Sequence, residues 1–293
     1  MIIDKLFKEV GKKGNVCVGL DSHLDYIPDY IKAKYQDVDE ILFQFNKGII
    51  DKTMDIVPVY KLQIAFYEAY GIKGLVAYKR TIEYIRNNGI ITIGDIKRGD
   101  IASTAEMYAK AHFEGDFQVD FITLNPYMGF DSITPYLKYI EEKDKGIFIL
   151  LRTSNPGAKD IQYLQVNPSE DTQSKKLYYH VGDKLYEMGS KYIGSCGYSS
   201  IGAVVGGTHR DEAEEIRGRY KNMFFLIPGY GHQGGKGEDV ALYLSDGNGG
   251  VVNSSRGIIT AYKSYEYGEE NYDKYARDAV LAMKEDIKSE GRV

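Results

Sequence analysis

IITIGDIK, at residues 90–97, is the stretch that decides the fold. Its nearly continuous apolar character is typical of a parallel strand that is buried on both faces. The stretch ends in Asp95 and Lys97, which lie two positions apart and so share one face of a regular strand. A carboxylate and an ammonium there must pair or serve chemistry, because an unpaired buried charge is very costly. The stretch therefore predicts a buried strand that carries charged groups to one edge of a sheet.

Seven further apolar runs alternate with helical patterns along the chain. The runs cover residues 15–21, 57–64, 119–125, 146–153, 203–206, 223–228 and 250–254. Helices are predicted near residues 38–55, 72–87, 103–113, 132–142, 175–188 and 272–289, and a capping box at residues 208–211 is predicted to open another. Eight such units predict a (β/α)8 TIM barrel. An open doubly wound sheet is the alternative, although its usual Gly-rich fingerprint is absent from the first turn.

The pattern predicts a single domain over residues 1–293, with an insertion after strand five. Residues 158–191 are more than one barrel unit requires, and no linker or repeat breaks the chain. The N-terminus has no apolar export segment, and no stretch approaches the length of a membrane span. We therefore expect a cytoplasmic protein that does not bind membranes.

Charge and cysteine content exclude several classes of function. The net charge of −5, without a basic stripe, argues against nucleic-acid binding. Cys17 and Cys196 show no ligand spacing and fit a reducing compartment. The five histidines are likewise scattered, so no metal site is predicted.

Polar residues at the predicted strand ends are the candidate site, because active sites of such barrels lie at the carboxyl ends of the strands. They are Asp21, Lys61, Asp95, Lys97, Asp100, Ser154, Gln233 and Arg256. Alternating lysines and aspartates would keep each other ionised. A salt-bridge network that only closes the top of the barrel is the alternative interpretation.

Two loops are candidates for binding a phosphate. PGYGHQGG, at residues 228–235, follows strand seven, and NSSRG, at residues 253–257, follows strand eight. Glycines let backbone N–H groups approach an anion, and Arg256 offers a bidentate fork. Barrels often bind phosphate with these two loops. TSNPG, at residues 153–157, is either a turn or a hydrogen-bonding group for a heterocycle.

Taken in order, these motifs resemble one known family. GDIKRGDIASTAE, at residues 94–106, resembles the D-x-K-x-x-D-I-x-x-T signature of orotidine 5′-phosphate decarboxylases. VGLD, Lys61, RTSNPGA, PGYGHQGG and SSRG complete a resemblance that runs from Gly19 to Gly257 and is similar to the longer bacterial subgroup. It implies a homodimer that converts orotidine 5′-monophosphate (OMP) to uridine 5′-monophosphate (UMP), the last step of de novo UMP synthesis, with no cofactor.

The resemblance also implies a role for each site residue. Lys97 matches the proton donor, and Asp95 matches the carboxylate that faces the carboxylate of the substrate. Lys61 and Asp21 match residues that hold the ribose and complete the charged network. The other positions implied are Asp100 and Thr104, which reach the neighbouring subunit's site, Ser154 at the pyrimidine, Gln233 and Arg256 at the phosphate, and Ile101, Pro228, Gly234, Gly235 and Gly257 as further substrate contacts.

The mechanism implied is electrostatic. Loss of CO₂ leaves an electron pair at C6 that cannot delocalise into the ring, and Lys97 would stabilise and then protonate that carbon. A Mg²⁺-dependent barrel lyase or aldolase for sugar phosphates is one competing interpretation. Such enzymes carry an acidic metal ligand at strand two, where this chain has Lys61. A non-catalytic nucleotide-binding barrel is the other, and it would not require Lys97.

Overall fold

Eight parallel strands close into a barrel in the computed structural model, which describes residues 1–167, 174–231 and 234–290. The strands are β1 (Val16–Gly19), β2 (Val59–Gln63), β3 (Ile91–Arg98), β4 (Phe121–Leu124), β5 (Gly146–Arg152), β6 (Ser199–Val205), β7 (Met223–Pro228) and β8 (Gly250–Ser254). Each strand pairs with its neighbours in sequence, and β8 pairs with β1. This closure confirms the predicted (β/α)8 barrel and excludes the open doubly wound sheet.

Helices surround the barrel. They are α1 (Ile2–Lys13), α2 (Asp29–Lys34), α3 (Val38–Thr53), α4 (Ala65–Glu68), α5 (Gly71–Asn87), α6 (Ala102–Phe113), α7 (Thr134–Lys143), α8 (Lys159–Gln162), α9 (Leu177–Gly189), α10 (Arg210–Arg219), α11 (Gly237–Ala241), α12 (Arg256–Ile259) and α13 (Tyr272–Glu290). Short 3-10 turns lie at Leu24–Tyr26, Pro126–Met128, Phe130–Ser132, Pro156–Ala158, Ser190–Tyr192, Ala261–Ser264 and Gly268–Asn271. No helix in these described ranges is long and apolar enough to cross a membrane.

Strand residues alternate between two apolar layers, as the pleat of a strand requires. On β1, Val16 and Val18 belong to the layer between barrel and helices, and Cys17 belongs to the barrel interior. On β3, Ile91 and Ile93 point inward. Asp95 continues that inward series at the carboxyl end of the strand, so the barrel interior changes from apolar to charged at the site.

The N-terminal helix α1 closes the opposite end of the barrel. Its buried residues Ile2, Ile3, Leu6 and Val10 belong to the same apolar cluster as the barrel interior. This helix was not predicted from the sequence. The helix adds to the interior core at the amino ends of the strands and leaves the carboxyl rim for the site.

The region after β5 differs in part from the prediction. The helix predicted within the insertion is α9, and it packs against both β5 and β6 as a regular barrel helix. The extra length lies mainly before α9, where residues Gln165–Val166 and Lys175–Lys176 form a small antiparallel ribbon. The insertion is therefore shorter than residues 158–191.

Two other boundaries were predicted wrongly. Strand six begins at Ser199 and not at residue 203. The prediction began too late because Ser199 and Ser200 are polar, although both are buried in the strand. The capping box at residues 208–211 does not form as predicted. Helix α10 begins at Arg210 after His209, which makes no side-chain capping hydrogen bond.

Candidate active site

A cavity of about 1170 Å³ opens at the carboxyl rim of the barrel. The predicted site residues that line it are Asp21, Lys61, Asp95, Lys97, Ser154, Pro228, Arg256 and Gly257. These residues come from strand ends and loops that are far apart in sequence. Barrel closure therefore brings together most of the residues that the sequence analysis singled out.

Lys61 is the buried centre of the charged network. Its side chain is 4% exposed, and its Nζ lies 3.3 Å from Asp21 Oδ1 and 3.0 Å from Asp95 Oδ2. Burial alone would lower the pKa of Lys61, but the charges of Asp21 and Asp95 outweigh burial and raise the pKa. Lys61 is therefore a fixed cation between two carboxylates.

Four donors surround the Asp95 carboxylate. Lys97 Nζ at 2.6 Å and Thr123 Oγ1 at 2.8 Å donate to Oδ1, and Lys61 Nζ at 3.0 Å and Gln63 Nε2 at 3.1 Å donate to Oδ2. Burial would raise the pKa of Asp95, but the charges and hydrogen bonds of Lys61 and Lys97 hold it below the ordinary value of an aspartate. Asp95 is thus an anion of fixed orientation.

Lys97 reaches the network from an irregular backbone and not from a regular strand. Its φ is 47°, and the pairing of β3 with β4 shifts register between Gly94 and Arg98. Positive φ is uncommon for a residue with a side chain and concentrates at functional sites. The predicted contact between Asp95 and Lys97 is confirmed. A local bulge in β3, and not strand alternation alone, brings the two side chains together.

Thr123 and Gln63 were missed by the sequence analysis. Both sit at the ends of predicted strands, and each follows an inward-facing residue by two positions: Phe121 precedes Thr123, and Lys61 precedes Gln63. This spacing was an available signal. It was not used because a threonine or a glutamine at a strand end carries no charge that demands a partner.

Ser255 joins Asp21 to the loop after β8. Its Oγ donates to Asp21 Oδ2 at 2.7 Å. A Cβ on Gly19 would lie 2.0 Å from that Oγ, so glycine at position 19 is what lets the two strands bring Asp21 and Ser255 together. Ser255 belongs to the SSRG motif, but no role was predicted for it.

The two loops that were predicted to bind phosphate differ in whether their polar groups are available to a ligand. Arg256 is exposed at the start of α12 and lines the cavity with Gly257 and Pro228. In the loop after β7, the N–H of Gly234 donates to the Gly231 carbonyl at 2.8 Å, and the N–H of Gly235 donates to the Gly229 carbonyl at 3.1 Å. Those two N–H groups therefore hold the loop together. Gln233 lies outside the described residues.

Three predicted residues lie beside the cavity and do not line it. Asp100, Ile101 and Thr104 occupy the loop after β3 and the start of α6, where Ile101 is 49% exposed. Asp100 Oδ1 accepts the backbone N–H of Ile101 at 2.9 Å. The exposure of Ile101 and Thr104 leaves this segment accessible to a second molecule.

The arrangement suits chemistry on a small anion. It offers the half-exposed ammonium of Lys97, the fully hydrogen-bonded carboxylate of Asp95 that holds this ammonium, and the arginine Arg256 in the lining of the same cavity. Over the described ranges, no group of three or more His, Cys, Asp or Glu side chains could hold a metal ion.

Fold and site together define a (β/α)8-barrel enzyme with a lysine–aspartate network at its carboxyl rim. Residues 14–270 match the family model described as "Orotidine 5'-phosphate decarboxylase / HUMPS family". The chain belongs to this family.

Individual relatives are similar to this chain over nearly its whole length. The chain is 75% identical over 290 residues to a protein of Petrotoga mobilis named orotidine 5′-phosphate decarboxylase, with 99% of each chain covered. It is 59% identical over 288 residues to a protein of the same name from Clostridium acetobutylicum, covering 98% of this chain and 99% of the relative. Among solved structures, Leishmania donovani OMP decarboxylase is similar, with a TM-score of 0.71, 28% identity and coverage of 96% of this chain and 98% of the other.

Proposed function

We propose that this chain decarboxylates orotidine 5′-monophosphate to uridine 5′-monophosphate, the last step of de novo UMP synthesis. The family description covers two activities, and the two relatives at 75% and 59% identity are named for only one of them. The observation that carries the proposal is the buried Lys61, held between Asp21 and Asp95 at the end of β2. A cation there would repel the metal ion that the sugar-phosphate enzymes of similar fold bind at strand two.

Lys97 is the proposed proton donor. Breaking the bond between C6 and the carboxylate releases CO₂ and leaves the electron pair on C6. The Lys97 ammonium stabilises that charge as it develops and then donates a proton to C6, which gives UMP. A preorganised cation is effective because it needs no reorganisation when the charge appears.

Asp95 and Lys61 hold that cation in position. Asp95 accepts a hydrogen bond from Lys97 and faces the substrate carboxylate in this proposal. Lys61 donates to the other oxygen of Asp95 and neutralises its charge. Asp21 and Lys61 also contact the ribose hydroxyls in this proposal. A site fixed by opposite charges loses little entropy when substrate enters.

The phosphate is assigned to Arg256, Gly257 and Pro228, with Ser154 at the pyrimidine. All four line the same cavity as Lys97. Gln233 and the N–H groups of Gly234 and Gly235 are proposed as further phosphate contacts. Because those two N–H groups bond within the loop here, they would have to change partners to bind phosphate. Phosphate binding energy could drive that change and assist the chemical step.

The proposal is tested by following the ultraviolet absorbance of OMP with EDTA present. We expect rapid conversion by the wild type and a loss of at least about 10³-fold in kcat for Lys97→Ala, since the only proposed donor is removed. Lys184→Ala, on the exposed face of α9, is the matched control and should keep activity within about twofold. A folded wild-type protein that leaves OMP unchanged would contradict the proposal and direct the search to sugar phosphates with Mg²⁺.

A second copy of this chain is the proposed partner. Asp100, Ile101 and Thr104 are predicted substrate contacts, yet none of the three lines the cavity of its own chain, and Ile101 and Thr104 are exposed. A homodimer in which these residues complete the neighbouring site reconciles the two observations. Isologous pairing about a two-fold axis would do so for both sites at once.

Mixing two inactive variants tests this shared site. Lys97→Ala and Asp100→Asn should each be inactive alone, while a refolded 1:1 mixture should recover about a quarter of wild-type activity. Half of random dimers are mixed, and one of the two sites in each mixed dimer is complete. A mixture of Lys97→Ala with Asp95→Asn is the control, because both residues would lie in one chain's site and no recovery is expected. Equal recovery in both mixtures, or none in either, would contradict the shared site.

A further inference from the structure

Thr123 forms hydrogen bonds to both Asp95 and Lys97. It lies on β4, its side chain is almost completely buried, and its hydroxyl touches the two residues to which the proposed chemistry is assigned. The hydroxyl donates to Asp95 Oδ1 at 2.8 Å and accepts the backbone N–H of Lys97 at 2.9 Å. A single side chain therefore contacts the Asp95 carboxylate and the backbone that carries the Lys97 ammonium.

The register between β3 and β4 explains why a side chain is needed there. Gly94 pairs with Ile122 and Arg98 pairs with Leu124, so β3 uses residues 95–97 where β4 uses Thr123 alone. Such a bulge disrupts the backbone ladder and leaves N–H groups to be satisfied in another way. The Thr123 hydroxyl accepts the N–H of Lys97, which has a φ of 47°. The bulge thus depends on a side-chain acceptor.

The hydroxyl also restricts the Asp95 carboxylate. Thr123 and Lys97 share Oδ1, and Lys61 and Gln63 share Oδ2. Without the threonine donor, the carboxylate can rotate toward the remaining cations. The Lys97 ammonium follows Asp95, because the ion pair joins them at 2.6 Å.

We propose that Thr123 is a positioning residue for this reaction, holding the β3 bulge and the Asp95 carboxylate so that the Lys97 ammonium meets the reacting carbon. The inference rests on the proposed function, since it needs Lys97 and Asp95 to act on the substrate. It assigns no substrate contact to Thr123. Its effect belongs in the chemical step and not in binding, because the phosphate and ribose contacts lie on other strands.

The test uses paired variants that differ by the hydroxyl alone. Thr123→Val removes the hydroxyl and keeps the shape, and Thr123→Ser keeps the hydroxyl. We expect Thr123→Val to lose about 10- to 100-fold in kcat, the scale of a misplaced catalytic group, with KM for OMP within about threefold. Thr123→Ser should stay within about fivefold of wild-type kcat. If the valine variant does not fold, Thr123→Ala against Thr123→Ser provides the same comparison.

Thr92 is a matched control at the other end of the barrel. Its hydroxyl also donates to a carboxylate, that of Asp120 at 3.1 Å, and accepts a backbone N–H, that of Asp120 at 3.2 Å. Thr92→Val should lower the melting temperature as much as Thr123→Val does but leave kcat within about twofold.

The outcomes separate this inference from the proposed function. If wild type and Thr123→Val decarboxylate OMP equally well, the positioning role is wrong and the proposed function stands. Equal losses of kcat in Thr123→Val and Thr92→Val, or in the serine and valine variants of Thr123, would also overturn it, because those losses would report stability alone. If the wild type does not act on OMP at all, the proposed function itself fails.

Discussion

At the scale of single residues, the site is organised by charges that neutralise one another. Lys61 is buried, yet its pKa is raised because Asp21 and Asp95 more than offset the effect of burial. Asp95 in turn keeps a lowered pKa although it is buried. Neither residue would be stable in this form without the other, since an isolated buried charge is strongly destabilising. Each charge of the network is therefore stable only while its oppositely charged partner is present.

Gly19 offers a direct test of how closely these groups must approach. A Cβ there would lie 2.0 Å from Ser255 Oγ, so Gly19→Ala should push Ser255 away from Asp21. We expect an increase in KM for OMP of at least about tenfold, on the order of the free energy of one hydrogen bond to a charged group. Steady-state kinetics measure this effect.

Gly218→Ala is the control for that substitution. Gly218 lies within α10 and a Cβ there meets nothing within 4 Å, so alanine should stabilise the protein by about 0.5–1 kcal/mol and leave KM unchanged. A KM for Gly19→Ala that matches the wild type would show that Ser255 does not support the proposed ribose site.

At the scale of elements, the two ends of the barrel have different roles. The carboxyl ends carry the charged network, and the amino ends are closed by the apolar face of α1. This separation agrees with the general rule for such barrels, in which function lies at one face and stability at the other. β3 shows the same separation of roles within one strand. Ile91 and Ile93 belong to the apolar core of the barrel interior, whereas Lys97, at the carboxyl end, has a positive φ and belongs to the charged network.

A substitution that weakens the packing of α1 should therefore lower the stability of the protein and leave kcat unchanged. Leu6 is fully buried against the barrel interior, and Leu6→Ala should lower the free energy of unfolding by about 2–5 kcal/mol with kcat unchanged. Urea unfolding and steady-state kinetics on the same samples measure both quantities. Leu281→Ala, which removes a side chain that is 40% exposed on α13, should cost less than about 1 kcal/mol. A large fall in kcat for the folded Leu6 variant would refute the separation of the two ends.

At the scale of the whole molecule, the Glu212 carboxylate links the insertion to the barrel, because it forms a buried ion pair with Arg152 and a second, partly exposed ion pair with Lys176. Arg152 at the end of β5 lies 2.8 Å from Glu212 of α10, and Lys176 of the ribbon lies 2.8 Å from the same carboxylate. Arg152 also donates to Tyr163 Oη at 2.9 Å. The insertion therefore packs against the wall of the cavity through charge as well as through apolar contact.

This ion pair predicts a pH dependence of stability. Burial would raise the pKa of Glu212, but hydrogen bonds from Lys176, Tyr163 and Arg152 outweigh it and bring the pKa to about 2. Because the folded-state pKa is below the ordinary value of 4.5, the stabilisation is complete above that value and is lost as pH falls toward about 2. Glu212→Gln should lower the free energy of unfolding by about 3–5 kcal/mol at pH 7, the cost of breaking a buried pair.

Urea unfolding of wild type and Glu212→Gln at pH 7 and pH 3 makes the measurement. The difference between the two proteins should shrink substantially at pH 3, while the exposed Glu187→Gln control should change the unfolding midpoint little at either pH. A difference that is the same at both pH values would show that the Glu212 charge is not what binds the insertion.

The amino-acid sequence by itself determined most of the barrel and most of the cavity lining. β7 and β8 have the predicted bounds, because the apolar run of β7 ends at Pro228-Gly229 and the apolar residues of β8 are followed directly by the polar residues Asn253 and Ser254. β6 was predicted short because its first residues are serines, which give a weak strand signal. α1 was missed although Ile2, Ile3, Leu6 and Val10 recur at helical spacing, a signal that was present in the sequence. Charged residues at strand ends were predictable because burial makes an unpaired charge costly.

Only the tertiary structure decided which groups touch. The β3 bulge, the hydroxyl of Thr123 between Asp95 and Lys97, and the approach of Ser255 to Asp21 depend on the register between strands. Register is a relation between segments distant in the chain, and a shift of one residue reverses every side chain. Periodicity within one segment shows which face a residue occupies, whereas barrel closure sets the neighbour that it meets.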